Sequence, residues 1–184
     1  MQIVFESRLG VHNVLNDCTM TVDGTEFHIP QKGIATKGNA FGSHKYVGKS
    51  ALRYELGVNI LTGNLVWIKG PYPAGKYTDI KIFNKVLRNF LEPGERVEAV
   101  RGTAATPTKS NAGQGRKSGG ESGDAGEVKG TSRDANGRLK NWGILSQVFC
   151  HHIMIHGDVF RACAVVTQLT IQDGELLFEV EYGD

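Results

Sequence analysis

Three groups of residues in this sequence have types and spacings suited to chemistry. His152 and His156 lie four apart, with His151 beside them, as two metal ligands on one helix face would. No third ligand accompanies them, and Phe149, Ile153 and Ile155 alternate through the stretch, so the reading favoured here is structural or surface histidine. His44-Lys-Tyr46, with Lys49 and Arg53, carries the charge to contact phosphate, and reads equally as the solvated entrance to a hairpin. Asp23 follows the alternating run Cys18-Thr-Met-Thr-Val and precedes Gly24, which puts a carboxylate at the expected end of a strand. Cys18, Cys150 and Cys163 form no CxxC and leave one thiol unpaired under any pairing, which argues against a disulfide framework and a cysteine zinc site.

The elements that would position these groups follow from periodicity. Leu52, Tyr54, Leu56, Val58 and Ile60 alternate, Thr62-Gly-Asn64 turns the chain, and Leu65 to Lys69 returns, which predicts an antiparallel hairpin. Glu26 to Ile29 either continues the first strand or pairs with it. Ile80, Phe83, Val86, Leu87 and Phe90 fall at helical spacing, with Thr78 or Asp79 as N-cap and Pro93-Gly94 as terminator. Arg96 to Val100 is short enough for one more strand. Leu139, Trp142, Leu145, Val148 and Phe149 predict an amphipathic helix, Val159 to Ile171 a largely internal one, and Leu176 to Tyr182 a final strand or tail. Cys163, Trp67 and Trp142 are expected in the core.

The chain has 184 residues, 40% of them hydrophobic, enough for one core of ordinary size. Its formal net charge of +2 excludes bulk electrostatic attraction to nucleic acid, so any such binding must come from a local patch. No apolar run reaches the roughly 18 residues needed to span a bilayer, and Glu6 and Arg8 interrupt any signal-peptide-like stretch. A soluble intracellular protein without membrane partners is the expectation. Between Arg101 and Arg133 there is no aromatic residue, and Val128 is the one large aliphatic side chain. Such a stretch cannot bury enough surface to offset its ordering entropy. It predicts an unstructured Gly/Ser-rich insert over 101–135, separating a first part, 1–100, from a helical part, 136–184. Gly115-Arg-Lys117 is its most basic point, but Glu121, Asp124 and Glu127 dilute the field, so it reads as linker. Strands, helix, strand, insert and helices in this order describe an α/β domain with a mixed sheet.

Six runs carry a resemblance: Val22-Asp-Gly-Thr25, Ser43-His-Lys-Tyr46, Leu52-Arg-Tyr-Glu55, Tyr77-Thr-Asp-Ile-Lys-Ile-Phe83, Pro93-Gly-Glu-Arg-Val-Glu-Ala99 and Asn136-Gly-Arg-Leu-Lys-Asn-Trp142. In this order they resemble the DDE-superfamily endonuclease domain of Harbinger-type transposases, from about Asp17 to the C terminus apart from the insert. The resemblance implies a ribonuclease-H-like fold, double-stranded DNA as partner and hence a nuclear location, and three acids holding two Mg2+ or Mn2+ ions for strand cleavage and joining. It makes Asp23 the first acid. Val100 stands at the second acidic position and Arg133 at the third. Valine has no ligand atom and arginine has only donors, so the implied metal site keeps one of its three ligands. The resulting expectation is a catalytically inactive remnant. Its alternatives are a domesticated DNA- or protein-binding module without catalysis, and an active nuclease in which Glu98 and Asp134 substitute beside Asp23.

Overall fold

The computed structural model describes residues 3–4, 18–30, 40–60, 62–91, 96–99 and 128–174. Strands β1 (Ile3–Val4), β2 (Cys18–Ile29), β3 (Ser50–Asn59) and β4 (Leu65–Pro73) precede helix α1 (Asp79–Lys85) and strand β5 (Arg96–Ala99). Helices α2 (Val128–Asn141), α3 (Gly143–Ser146) and α4 (His156–Gln172) follow. The sheet order is β1-β4-β3-β2-β5, with β2, β3 and β4 antiparallel and β5 parallel to β2. This is the mixed α/β sheet with flanking helices that the order of periodicities predicts.

Both faces of the sheet are covered, each by its own core. Phe27, Tyr54, Leu56 and Val58 pack against Ala135 and Leu139 of α2 and Phe160 of α4. Met20, Val22 and Trp67 on the other face pack against Leu87 and Val97. Alternation along β2 therefore sends Thr21, Asp23, Thr25 and Phe27 towards α2, and Val22, Gly24 and Glu26 towards α1. Tyr54 stacks on Phe160, ring centroids 3.8 Å apart, and its hydroxyl hydrogen-bonds His156 Nδ1 at 2.7 Å.

Several expectations need correction. Strand β2 does not end at Gly24: its pairing with β3 runs unbroken from Met20 to Ile29, so Asp23 lies mid-strand. On the β5 side, the pairing among the described residues runs from Cys18 to Val22, next to Asp23. Helix α2 starts at Val128, inside the segment expected to be an unstructured insert; residues 101–127 and Leu176 to Tyr182 lie outside the described residues. The physical reason is the seam it makes, since Ser132, Ala135, Asn136 and Leu139 recur at helical spacing and are all buried. The helix after Asp79 is short and gives way to a 3-10 turn over Leu87–Asn89, with Ile82 and Leu87 buried while Ile80 and Phe90 are exposed. Trp142 to Phe149 is not one continuous helix: α3 stops at Ser146, Val148 is exposed and Phe149 returns to the core.

Candidate functional site around Asp23

Asp23 is half-buried between β2 and α2, and both its carboxylate oxygens are engaged. The Gly24 N–H donates to Oδ1 at 2.9 Å, and the Asn136 side-chain amide donates to Oδ2 at 2.8 Å. Burial raises the Asp23 carboxyl above its ordinary range and the Asp79 charge adds to this; the Gly24 N–H, the Asn136 amide and the Arg133 charge oppose it. Arg133 is exposed, yet close enough for its guanidinium to act on Asp23. Asn136 carries no chemical signature in the sequence beyond opening one of the six matching runs.

The other candidates are distributed unequally. Glu98 pairs in register with Thr21, which puts it on the same sheet face as Asp23. Asp134 is exposed on α2, one residue and about 100° of helical rotation from Arg133. Val100 lies outside the described residues. Thr78, not Asp79, is the N-cap of α1, and its side chain makes no capping hydrogen bond. The Asp79 carboxylate instead accepts from Arg53 Nη1 at 3.0 Å. It sits so close over Gly24 that a Cβ there would lie 1.9 Å from Asp79 Oδ1, so any larger residue at that strand position would have to displace the carboxylate.

On the α1 face a second polar network lies under the same point. Arg53 and Glu26 are cross-strand partners, both buried, joined by an ion pair, and the Ser43 hydroxyl also donates to Glu26. Burial pushes the Glu26 carboxyl up, but the Ser43 and Arg53 hydrogen bonds, the Arg53 charge and the His44 N–H outweigh it and hold it below the ordinary range. Arg53 is thus committed internally and is not the phosphate contact that its neighbourhood in sequence suggested. Glu55 is buried beside this network, accepting from the Trp67 indole at 2.9 Å.

Among the described residues, the donor set around Asp23 does not suit a pair of magnesium ions. Hard cations need several oxygen ligands with charge to match, whereas here one carboxylate already accepts two N–H groups and feels a guanidinium. Among the described residues, no three His, Cys, Asp or Glu side chains converge as a metal centre would require. His156 is buried against Tyr54 at the start of α4, its imidazole driven down to about 4 by burial, while His152 is exposed before a 3-10 turn. The two histidines therefore do not share a helix.

Thr21 Oγ1, Thr25 Oγ1, Ser132 Oγ and Asn136 Oδ1, all on the seam between β2 and α2, are buried without hydrogen-bond partners among the described residues. The seam is thus polar at its centre, and the Asn136 amide is a specific tie across it. Replacing Asn136 by alanine removes a donor to the ionised carboxylate, so the Asp23 titration midpoint rises further. Carboxyl NMR detects this, and an unchanged or lowered midpoint would refute the role given to the Asn136 amide.

No protein-family model, curated protein or solved structure matches the chain. Among the described residues, no helix is long and apolar enough to cross a membrane.

Proposed function

We propose that this protein is a domain derived from a DDE transposase endonuclease, with a ribonuclease-H-like fold, that has lost two-metal DNA cleavage and keeps DNA as its partner. Two features support the fold reading: an antiparallel three-strand meander crosses through α1 to a strand parallel with the first, and a later helix packs over the acid of that first strand. The observation that carries the loss of catalysis is the state of Asp23. Its carboxylate is held by Gly24 and Asn136 and faces the Arg133 charge, in the position where the family would hold cations. The residues that would hold Mg2+ or Mn2+ therefore do not fit them, and no cleavage step is assigned to this chain.

The test is plasmid nicking by the purified protein in Mg2+ and in Mn2+, together with metal titration calorimetry. The expected outcome is no metal-dependent nicking and no binding heat that distinguishes the wild type from Asp23→Asn. Nicking that disappears in Asp23→Asn would overturn the reading in favour of an active nuclease. In that case Glu98→Gln and Asp134→Asn would show whether those acids serve as the missing ligands.

A further inference from the structure

Helix α4 is apolar on two sides, and the described residues cover one of them. On the inner side, Phe160, Cys163 and Ala164 join the core formed with the sheet and α2. Hydrogen bonds fix the rotation of the helix on that side. Thr167 Oγ1 accepts from the Trp142 indole at 3.0 Å, Gln168 Oε1 accepts from the Leu65 N–H at 2.7 Å, and Gln168 Nε2 donates to Asn64 Oδ1 at 2.7 Å. The outer side carries Ala162, Val165, Val166 and Leu169, spaced i, i+3, i+4 and i+7, all exposed and Leu169 to 56%. No charged residue occurs between Arg161 and Asp173. A surface helix ordinarily turns charged residues outward, and one that is apolar on opposite sides belongs in an interior. A contiguous apolar face of this kind marks a site of contact.

The face opens at the C-terminal end of α4 into a cleft lined by Val166, Leu169, Thr170, Gln172 and Asp173. The chain departs from the rim of that cleft. Asp173 is the C-cap of the helix, and Gly174 takes φ +104°, a value that favours glycine and turns the backbone out of the helical path. The sequence that follows, outside the described residues, is Glu175-Leu-Leu-Phe-Glu-Val-Glu-Tyr182. Alternation places Leu176, Phe178, Val180 and Tyr182 on one side of an extended chain, and Leu177, Glu179 and Glu181 on the other. From Leu176 to Tyr182 an extended chain reaches about 20 Å, whereas the helical stripe from Ala162 to Leu169 is about 10 Å long, so a segment reversed at Gly174 is long enough to cover it. The tether also favours this occupant over a separate molecule, because a short link supplies an effective concentration on the order of millimolar.

We infer that Leu176 to Tyr182 folds back along α4 as an extended strap, with Leu176, Phe178, Val180 and Tyr182 against Val165, Val166 and Leu169, and with Glu179 and Glu181 turned to solvent. The strap uses no residue of the Asp23 site, so it stands or falls separately from the proposed function.

Nuclear Overhauser spectroscopy on the full chain, with labelled valine and leucine methyl groups, tests it. Contacts are expected from the Phe178 and Tyr182 rings to the Val166 and Leu169 methyls, in a protein that light scattering shows to be monomeric. Thermal melting supplies the energetic counterpart. Phe178→Asp and Leu169→Asp each lower the midpoint by about 4 °C or more, and the double variant is little worse than either alone, because both remove the same contact. Glu179→Gln, on the other side of the segment, leaves the midpoint within about 1 °C of the wild type. Circular dichroism establishes that Leu169→Asp, a change at an exposed position, keeps its helix content. A monomer without these ring–methyl contacts, or a Phe178→Asp variant that melts with the wild type, would overturn the strap. A dimer that Leu169→Asp dissociates would overturn it as well, and would give the face to a second copy of the chain.

Discussion

Replacing Arg53 by methionine destabilises the protein by about 3 to 5 kcal/mol at neutral pH, because it leaves a buried carboxylate without its cation. Glu26 is the partner that matters: its side chain and that of Arg53 are both almost wholly buried, whereas Asp79 is 60% exposed and its arm of the pair is screened by solvent. The sign of the pH dependence follows. In the wild type the Glu26 carboxyl is held below its ordinary 4.5, so its contribution is present above that value and is lost as pH falls through the folded midpoint. Without Arg53, burial is opposed by Ser43 and the His44 N–H alone, and the carboxyl titrates higher. The defect therefore shrinks in acid, where Glu26 is protonated. Urea denaturation of both proteins at neutral pH and at about pH 4 measures this. A loss below about 1 kcal/mol at neutral pH, or one that does not shrink in acid, would contradict the argument. The double variant Glu26→Gln, Arg53→Met recovers part of the loss, since no buried charge is left behind.

Glu55→Gln acts in the opposite direction and stabilises the protein by about 2 to 3 kcal/mol at mildly alkaline pH. Burial pushes the Glu55 carboxyl up from 4.5 to about 7; the Trp67 hydrogen bond opposes this and the Asp79 charge adds to it. Because the folded midpoint lies above the unfolded one, the contribution of Glu55 is fully present below 4.5 and is lost as pH rises through about 7. Glutamine stays neutral throughout and its carbonyl still accepts from Trp67. The variant and the wild type should converge in acid and separate as pH rises. A thermal or urea series that shows no gain at alkaline pH would rule out a Glu55 forced to ionise in the core.

The hairpin β3–β4 was legible because its apolar residues alternate through Leu52, Tyr54, Leu56 and Val58, which form one buried face. That alternation says nothing of what the intervening Arg53 and Glu55 meet. They are buried because the sheet is covered on both faces, and their partners Glu26, Asp79 and Trp67 are remote in sequence. The continuation of β2 past Gly24 was obscured for a related reason. Glycine reads as a turn, yet here it makes room for the Asp79 carboxylate, a demand that comes from another element. Helix α2 was hidden by its own composition: its buried stripe uses Ser132, Ala135 and Asn136 before the first large apolar residue, Leu139. Within the candidate site, Asp23 and Arg133 were legible as types at their positions, whereas the Asn136 contact depends on how the helix is rotated against the strand.

The missing side chain at Gly24 gives the sheet an aperture. Asp79 approaches from the α1 side, yet its charge is felt by Asp23, which projects towards α2. Two polar systems on opposite faces of the sheet thereby lie close enough for the charge of one to act on the other. The charge carried on one side of the sheet thus helps burial to hold the carboxyl on the other side above its ordinary range.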